Sequence, residues 1–287
     1  MSTTVRPVTT SVCGIETHDG AGVRLKRVIG TRALPDLDPF LLLDEFRSDQ
    51  PDDYLAGFPD HPHRGFETVT YMLAGRMRHR DNHGNEGLLQ PGGVQWMTAG
   101  RGIVHSEMPE QQDGLLAGFQ LWVNLPAAHK MSAPRYQDIA PERIPEIIRR
   151  DGVRVRIIAG QTMGAVGPVD AQHVEALYLD VTLPAGASLQ QNLPRGHSAF
   201  CYVFEGECDV GGGAVGSDDS PTRTGAGCLA VLGDGDGVWV GTNATGARLL
   251  LVAGKPLREP IARAGPFVMN TARELRQAVE DFQSGRF

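Results

Sequence analysis

Two short pairs of candidate metal donors constrain this chain more than any other feature. His61-x-His63 lies within GFPDHPHRGFET, and His105-x-Glu107 lies within MTAGRGIVHSEMP. Both runs read as β-strand, where alternate side chains share a face, so each pair delivers two donors to one side. The fold must therefore bring two strands together with these couples facing. Three imidazoles and one carboxylate suit a divalent transition metal, and they extend the two-histidine, one-carboxylate set that holds iron(II) in non-haem oxygenases.

A lone His-x-His is common on ordinary surfaces, so the surrounding residues decide its weight. Here Glu67 and then Gly75 follow the first pair, and Gly100-Arg101-Gly102 precedes the second. That spacing resembles the two motifs of a cupin barrel. Longer stretches narrow the likeness: DPFLLLDEF at Asp38 to Phe46, GFPDHPHRGFETVTYML at Gly57 to Leu73, PGGVQWMTAGRGIVHSE at Pro91 to Glu107, GFQLWVNLP at Gly118 to Pro126, and GPFVMNT near the C-terminus. Together they resemble the pirin family over nearly the whole chain. By that resemblance the metal ligands are His61, His63, His105 and Glu107, and all four are present.

At 287 residues the chain exceeds the usual single-domain size, so two domains are expected. We place them at 1–130, which carries the metal, and at 131–287. The change to proline and charge after Pro126, including PERIPEIIRRDG, reads as the connection. Thirty-six glycines, 19 prolines and no dominant amphipathic run in the middle argue for many short strands joined by turns. The expected fold class is all-β, two cupin (double-stranded β-helix) barrels in one chain with a short C-terminal helix.

A net charge of −7 without any basic block argues against direct nucleic-acid binding, which needs clustered cations. The N-terminus lacks an apolar signal core, and no run of about 18 apolar residues occurs, so a membrane span is unsupported. A cytoplasmic monomer is expected. Cys13, Cys201, Cys208 and Cys228 show no metal-type spacing and read as reduced structural thiols, although Cys201 and Cys208 could face each other across a strand pair.

Around the motifs, Glu67 occupies the place where ordinary cupins supply a carboxylate ligand, and is read as a buried, hydrogen-bonded carboxylate near the site. His79 and His83 read as solvated strand and turn residues. Phe46, Phe58 and Met97 flank the ligand strands and are candidates to line the cavity mouth; Asp44 and Glu45 read as a solvated strand end, although the pirin resemblance implies a place near that mouth; Trp122 reads as core. The bend Ala99 to Gly102 is expected to let the backbone approach the metal. In the second half VTLPAG, YVFEGE and GAGCLAVLGDGDGV follow the order of a second cupin. Where a metal-binding repeat would carry His-x-His there is QQNLPRGHSAF, so this barrel is expected to be metal-free and His197 structural. Residues 211–225 should form an exposed hairpin connection. From Thr271 a capped amphipathic helix should pack back through Leu275, Val279 and Phe282.

The pirin resemblance implies one Fe(II) per chain, replaceable by other divalent transition ions. It implies quercetin 2,3-dioxygenase-like activity, in which a flavonol or related enol is opened by O2 and Glu107 both ligates the metal and takes the 3-hydroxyl proton. It equally implies an alternative, a non-enzymatic, redox-sensitive iron regulator that binds a protein partner.

Overall fold

The computed structural model describes residues 4–171, 173–212 and 220–287, and they fold as antiparallel sheets with one α-helix, Ala272–Gln283. The central part of the expected 211–225 connection lies outside the described residues. No described helix is long and apolar enough to cross a membrane.

Two compact units emerge, and neither is continuous in sequence. One comprises Ile15–Pro141 with Leu257–Phe287; the other comprises Glu142–Pro256 with the segment before Ile15. The single break after residue 130 therefore gives way to a break after Pro141, with the chain ends exchanged. Strand Val8–Cys13 takes its backbone partners from Cys228–Leu232, which binds it to the second unit. At the other end, the Val268 amide donates to the Arg64 carbonyl and the Arg64 amide to the Pro266 carbonyl, while the Val268 carbonyl accepts from Lys130 Nζ at 3.0 Å, which binds the C-terminal segment to the first unit.

In the first unit a seven-stranded sheet runs in the order Arg135–Ile139, Val94–Thr98, Phe66–Ala74, Leu116–Asn124, Phe40–Ser48, Val23–Ile29, Ile15–Asp19. A four-stranded sheet runs Phe58–His63, Ile103–Pro109, Met77–Asp81, Glu86–Leu89. Leu25, Phe46, Met72 and Leu116 from the first sheet pack with Met77 and Leu89 from the second, so the two inner faces share a core. Phe40, Leu41, Leu42 and Leu43 are all buried, as a continuous apolar run requires of a strand covered on both faces.

The second unit is built on a larger sheet whose main path is Val8–Cys13, Cys228–Leu232, Ser198–Val210, Ala247–Gly254, Leu177–Leu183, Arg154–Ala159, Glu146–Ile148. Alternating residues such as Leu177, Leu179, Val181 and Leu249, Leu251, Ala253 supply one apolar cluster. Cys13 and Cys228 are direct cross-strand partners and form a disulfide, which corrects the reading of four reduced thiols. The pair lies 215 residues apart in sequence, so no local spacing could disclose it. Cys201 and Cys208 are free and buried on the same strand, Ser198–Val210, so they do not face each other across a pairing.

The helix begins as expected. Thr271 Oγ1 accepts from the Glu274 amide while the Glu274 carboxylate accepts from the Thr271 amide, a reciprocal capping box. Ala278 is buried, and Phe282 packs beside Phe267 and Phe287.

Candidate metal centre

Strand pairing alone brings the histidines together. Across the Ile103–Pro109 and Phe58–His63 pair, His105 lies opposite His61 and Ile103 opposite His63. Alternation then turns His61, His63 and His105 to one side, where their donor nitrogens lie within 4.8 Å of one another. The ring centroids are 4.4 to 5.0 Å apart, and His61 Nε2 stands 3.0 Å from His63 Nε2.

The protonation chemistry of this cluster suits a cation. Burial pushes the His63 and His105 imidazolium forms well below the ordinary histidine range, and the neighbouring histidines add to the effect, so both rings are neutral. His61 Nδ1 lies 2.8 Å from the Pro59 carbonyl; donating there leaves Nε2 as a lone pair aimed at the cluster. His63 Nδ1 and both nitrogens of His105 are buried without a hydrogen-bond partner. Buried imidazoles left unsatisfied and converging on one point are costly unless a metal ion satisfies them. The donor set fits a divalent transition ion.

Glu107 is not part of that three-residue group. It is 4% exposed, and its oxygens accept from Thr70 Oγ1 at 2.9 Å and Gln120 Nε2 at 3.2 Å. Thr70 Oγ1 also lies 2.6 Å from Gln120 Oε1, so the carboxylate is held by a pair from two neighbouring strands. Both lie in stretches that carry the family resemblance, but neither was singled out by the sequence reading. The available signal is parity: Thr70 and Gln120 are polar residues on otherwise buried strands, facing each other in register.

Glu67 is buried and hydrogen-bonded, as read in sequence, but on the other side of its strand from Glu107. Its carboxylate accepts from Trp96 Nε1 at 2.9 Å and Thr98 Oγ1 at 2.6 Å. Its strand runs in unbroken register from Glu67 to Tyr71, so odd-numbered Glu67 faces away from the side on which Thr70 meets Glu107. It anchors the sheet's opposite face. His79, by contrast, is 2% exposed, lies opposite Glu107 in register and stacks on Tyr136 at 5.4 Å, which corrects its reading as solvated. His83 is exposed in its turn, as expected.

A cavity of about 550 Å³ opens beside the histidines, within the usual size for a small-molecule site. Phe46 and Phe58 line it, with Leu25, Leu42 and Met77. Met97 does not: it is fully buried against Ala99, Ile103 and Tyr136. Asp44 lines the wall and receives Arg27 through two hydrogen bonds of 2.9 and 2.7 Å, whereas Glu45 points elsewhere, as strand alternation demands. Trp122, read as core, packs on Phe66 and also faces the cavity. Arg263, Gly265 and Pro266 complete the wall from the returning C-terminal segment, which the sequence reading did not connect with the site.

The motif glycines serve that segment more than the metal. A Cβ at Gly102 would meet the Phe287 ring at 2.8 Å, one at Gly65 the Val268 carbonyl at 2.0 Å, and one at Gly100 the Ser132 carbonyl at 2.3 Å. Arg64 of the HPHRG motif donates to the Arg101 carbonyl and to Asp281, with its guanidinium 4.3 Å from the Phe287 ring centroid.

Fold and site together define a cupin-type protein in which, among the described residues, one of the two units carries a histidine cluster able to hold a metal ion. Residues 22–123 match the pirin family and residues 178–287 match the pirin C-terminal cupin domain. The chain belongs to the pirin family. It is 54% identical over 284 residues to a pirin-like protein of Caulobacter vibrioides, covering 99% of both chains. It is 44% identical to human pirin over 283 residues, covering 98% of this chain and 93% of that one. A crystal structure described as quercetin 2,3-dioxygenase from Acinetobacter baumannii superposes with a TM-score of 0.88 at 33% identity, covering 99% and 98% of the two chains. The nickel(II) complex of the bacterial pirin YhhW from Escherichia coli shares the fold at a TM-score of 0.62 and 16% identity, covering 86% of this chain and 99% of that one.

Proposed function

We propose that the protein is an iron-dependent dioxygenase that opens a flavonol or related cyclic enol with O2. The observation that carries this reading is the convergence of His61, His63 and His105, with His63 Nδ1 and both His105 nitrogens buried and unpaired among the described residues, beside a largely apolar cavity that His61 and His63 line. His61, His63 and His105 would hold the ion, with Glu107 as a fourth, more loosely held ligand. Bound there, iron(II) supplies a Lewis acid for the enol oxygen and a redox partner for dioxygen.

The remaining work falls to the chain's own groups. Glu107, whose carboxylate accepts from Thr70 and Gln120, would take the proton of the enol hydroxyl. Trp122, Phe46 and Phe58 offer flat apolar surfaces to a planar ring system and limit access of water. Of the carboxylates that line the cavity, Asp44 and Asp19 are paired with Arg27 and Asp60 is exposed, whereas Glu107 is buried. Similarity to a protein described as quercetin 2,3-dioxygenase supports the same substrate class.

The test is oxygen uptake by iron-loaded protein on quercetin and related enols, alongside metal analysis. We expect about one transition ion per chain and metal-dependent turnover, with His61→Ala and His105→Ala each losing most of the metal. Protein fully loaded with iron(II) that consumes no oxygen on any of these enols would remove the enzyme reading and favour the partner-binding regulator.

A further inference from the structure

We propose that Arg263 is the residue that selects the substrate, by binding an anionic group at the end of a ring system whose other end lies at the histidine cluster. The inference rests on the site being a small-molecule site, and it adds the chemical class: an aromatic enol that carries a carboxylate or an ionised phenol away from its chelating hydroxyl.

Two guanidinium groups line the cavity, and they are in opposite situations. Arg27 is neutralised: Asp44 takes two of its hydrogen bonds at 2.9 and 2.7 Å, and Asp19 takes another at 2.6 Å. Arg263 has no carboxylate within ion-pair distance among the described residues. Its polar contact is one hydrogen bond from Nη1 to the Leu41 carbonyl at 3.1 Å, and its Cζ stands 4.8 Å from the centre of the Trp122 ring. Arg263 is exposed at the rim of the cavity, so the rest of its five-donor planar fork is open to solvent and to an incoming ligand. Partial desolvation and the nearby Arg27 charge weigh against its cationic form, whereas Asp44, Asp19 and Asp36 favour it only at longer range. A bound anion would supply a partner at close range.

The placement also sets the length of the ligand. His63 meets Trp122 edge to face at 5.2 Å between ring centroids, and Trp122 meets Arg263 at 4.8 Å. Metal ligand, aromatic wall and free cation thus follow one another along a single side of the cavity. A planar molecule with its enol at the histidines would extend past the edge of Trp122 and bring its far end to Arg263. Leu25, Phe46, Phe58 and Met77, which also line the cavity, are apolar and offer nothing to an anion.

The residue reaches this position only because strand Ala262–Ala264 belongs to the metal-bearing unit, which makes selection a property of the returning C-terminal segment. Relatives sharing the histidines could differ in substrate through this one short strand.

The experiment uses full-length protein loaded with zinc, which needs no turnover, and a pair of fluorescent probes: 3-hydroxyflavone and its 4′-carboxylate. Wild-type protein should bind the carboxylate about tenfold more tightly, as a charge-assisted hydrogen-bonded pair provides. Arg263→Gln should remove that preference while leaving the affinity for 3-hydroxyflavone and the zinc content unchanged. Arg263→Lys, which keeps the charge but not the fork, should retain part of it, and it decides the matter should the glutamine variant fail to hold metal. Raised salt should weaken the carboxylate probe alone. Equal affinity of wild type for the two probes, no binding of either, or an equal loss of both in the variants would overturn the assignment. Protein that binds with this preference yet consumes no oxygen on enols would refute the dioxygenase and leave the anion site standing.

Discussion

At the scale of single residues, Glu107 carries the sharpest consequence. Glutamine there keeps an oxygen of similar size and both neighbours, but removes the charge and the proton acceptor. General-base help is typically worth about 100- to 10,000-fold. Glu107→Gln should therefore retain a measurable fraction of iron yet lose flavonol oxygenation by at least about 100-fold per bound ion. Normalisation to iron is essential, since lost metal imitates lost base; an unaffected rate per iron would discard Glu107 as the base while keeping the enzyme. Asp44 offers a separate test by pH. Burial pushes its carboxyl up to about 6 against the pull of Arg27, so the folded state holds the proton at pH values where the unfolded chain has released it. Stability from this group is thus complete below the unfolded value near 3.8 and is lost as pH rises through about 6, by at most about 3 kcal/mol. Asp44→Asn should flatten the stability profile across that window in a denaturant titration, and a profile identical to wild type would refute the assignment.

At the scale of elements, the strands were legible and some of their contents were not. His61, His63 and His105 could be placed because a period of two fixes which residues share a side, and the same rule correctly separates Asp44 and Phe46 from Glu45. Applied to Glu67 it would have shown that this carboxylate and Thr70 face opposite ways, but the strand's register had to be known first. His79 misled for a related reason: flanked by Arg78 and Arg80 it looks solvated, whereas alternation turns it inward beside Glu107. The glycines and arginine of the two motifs answer to an element far away in sequence. Arg64, paired with Asp281 and lying over Phe287, ties the loop after His63 to the C-terminal helix and to the last residue of the chain. Asp281→Ala would leave Arg64, 3% exposed, without its carboxylate, and removing one partner of a buried pair costs about 3 to 5 kcal/mol. We expect a lowered melting temperature together with weaker metal retention on challenge with a chelator. A variant that loses stability but releases metal at the wild-type rate would show that the helix supports the fold and not the site.

At the scale of the whole molecule, two cupin halves could be read from the order of their motifs, but the exchange of chain ends could not, because it is made by pairings with very large sequence separation. The strand Val8–Cys13 and the segment Leu257–Phe287 each complete the unit built mainly from the other half of the chain. The Cys13–Cys228 disulfide closes the first of these exchanges within the unit that lacks the histidine cluster. A cross-link between residues so far apart restricts the unfolded chain strongly, by about 5 kcal/mol in the loop-entropy treatment. Cys13→Ser, or reduction of the wild type, should therefore lower the denaturant midpoint. It should leave metal content and chelator resistance unchanged under native conditions, since His61, His63 and His105 belong to the other unit. Stability measured with and without reductant, with metal analysis on the same samples, checks both halves of this expectation. Loss of metal on reduction alone would mean that the N-terminal strand supports the metal centre, which the division of the chain into these two units does not allow.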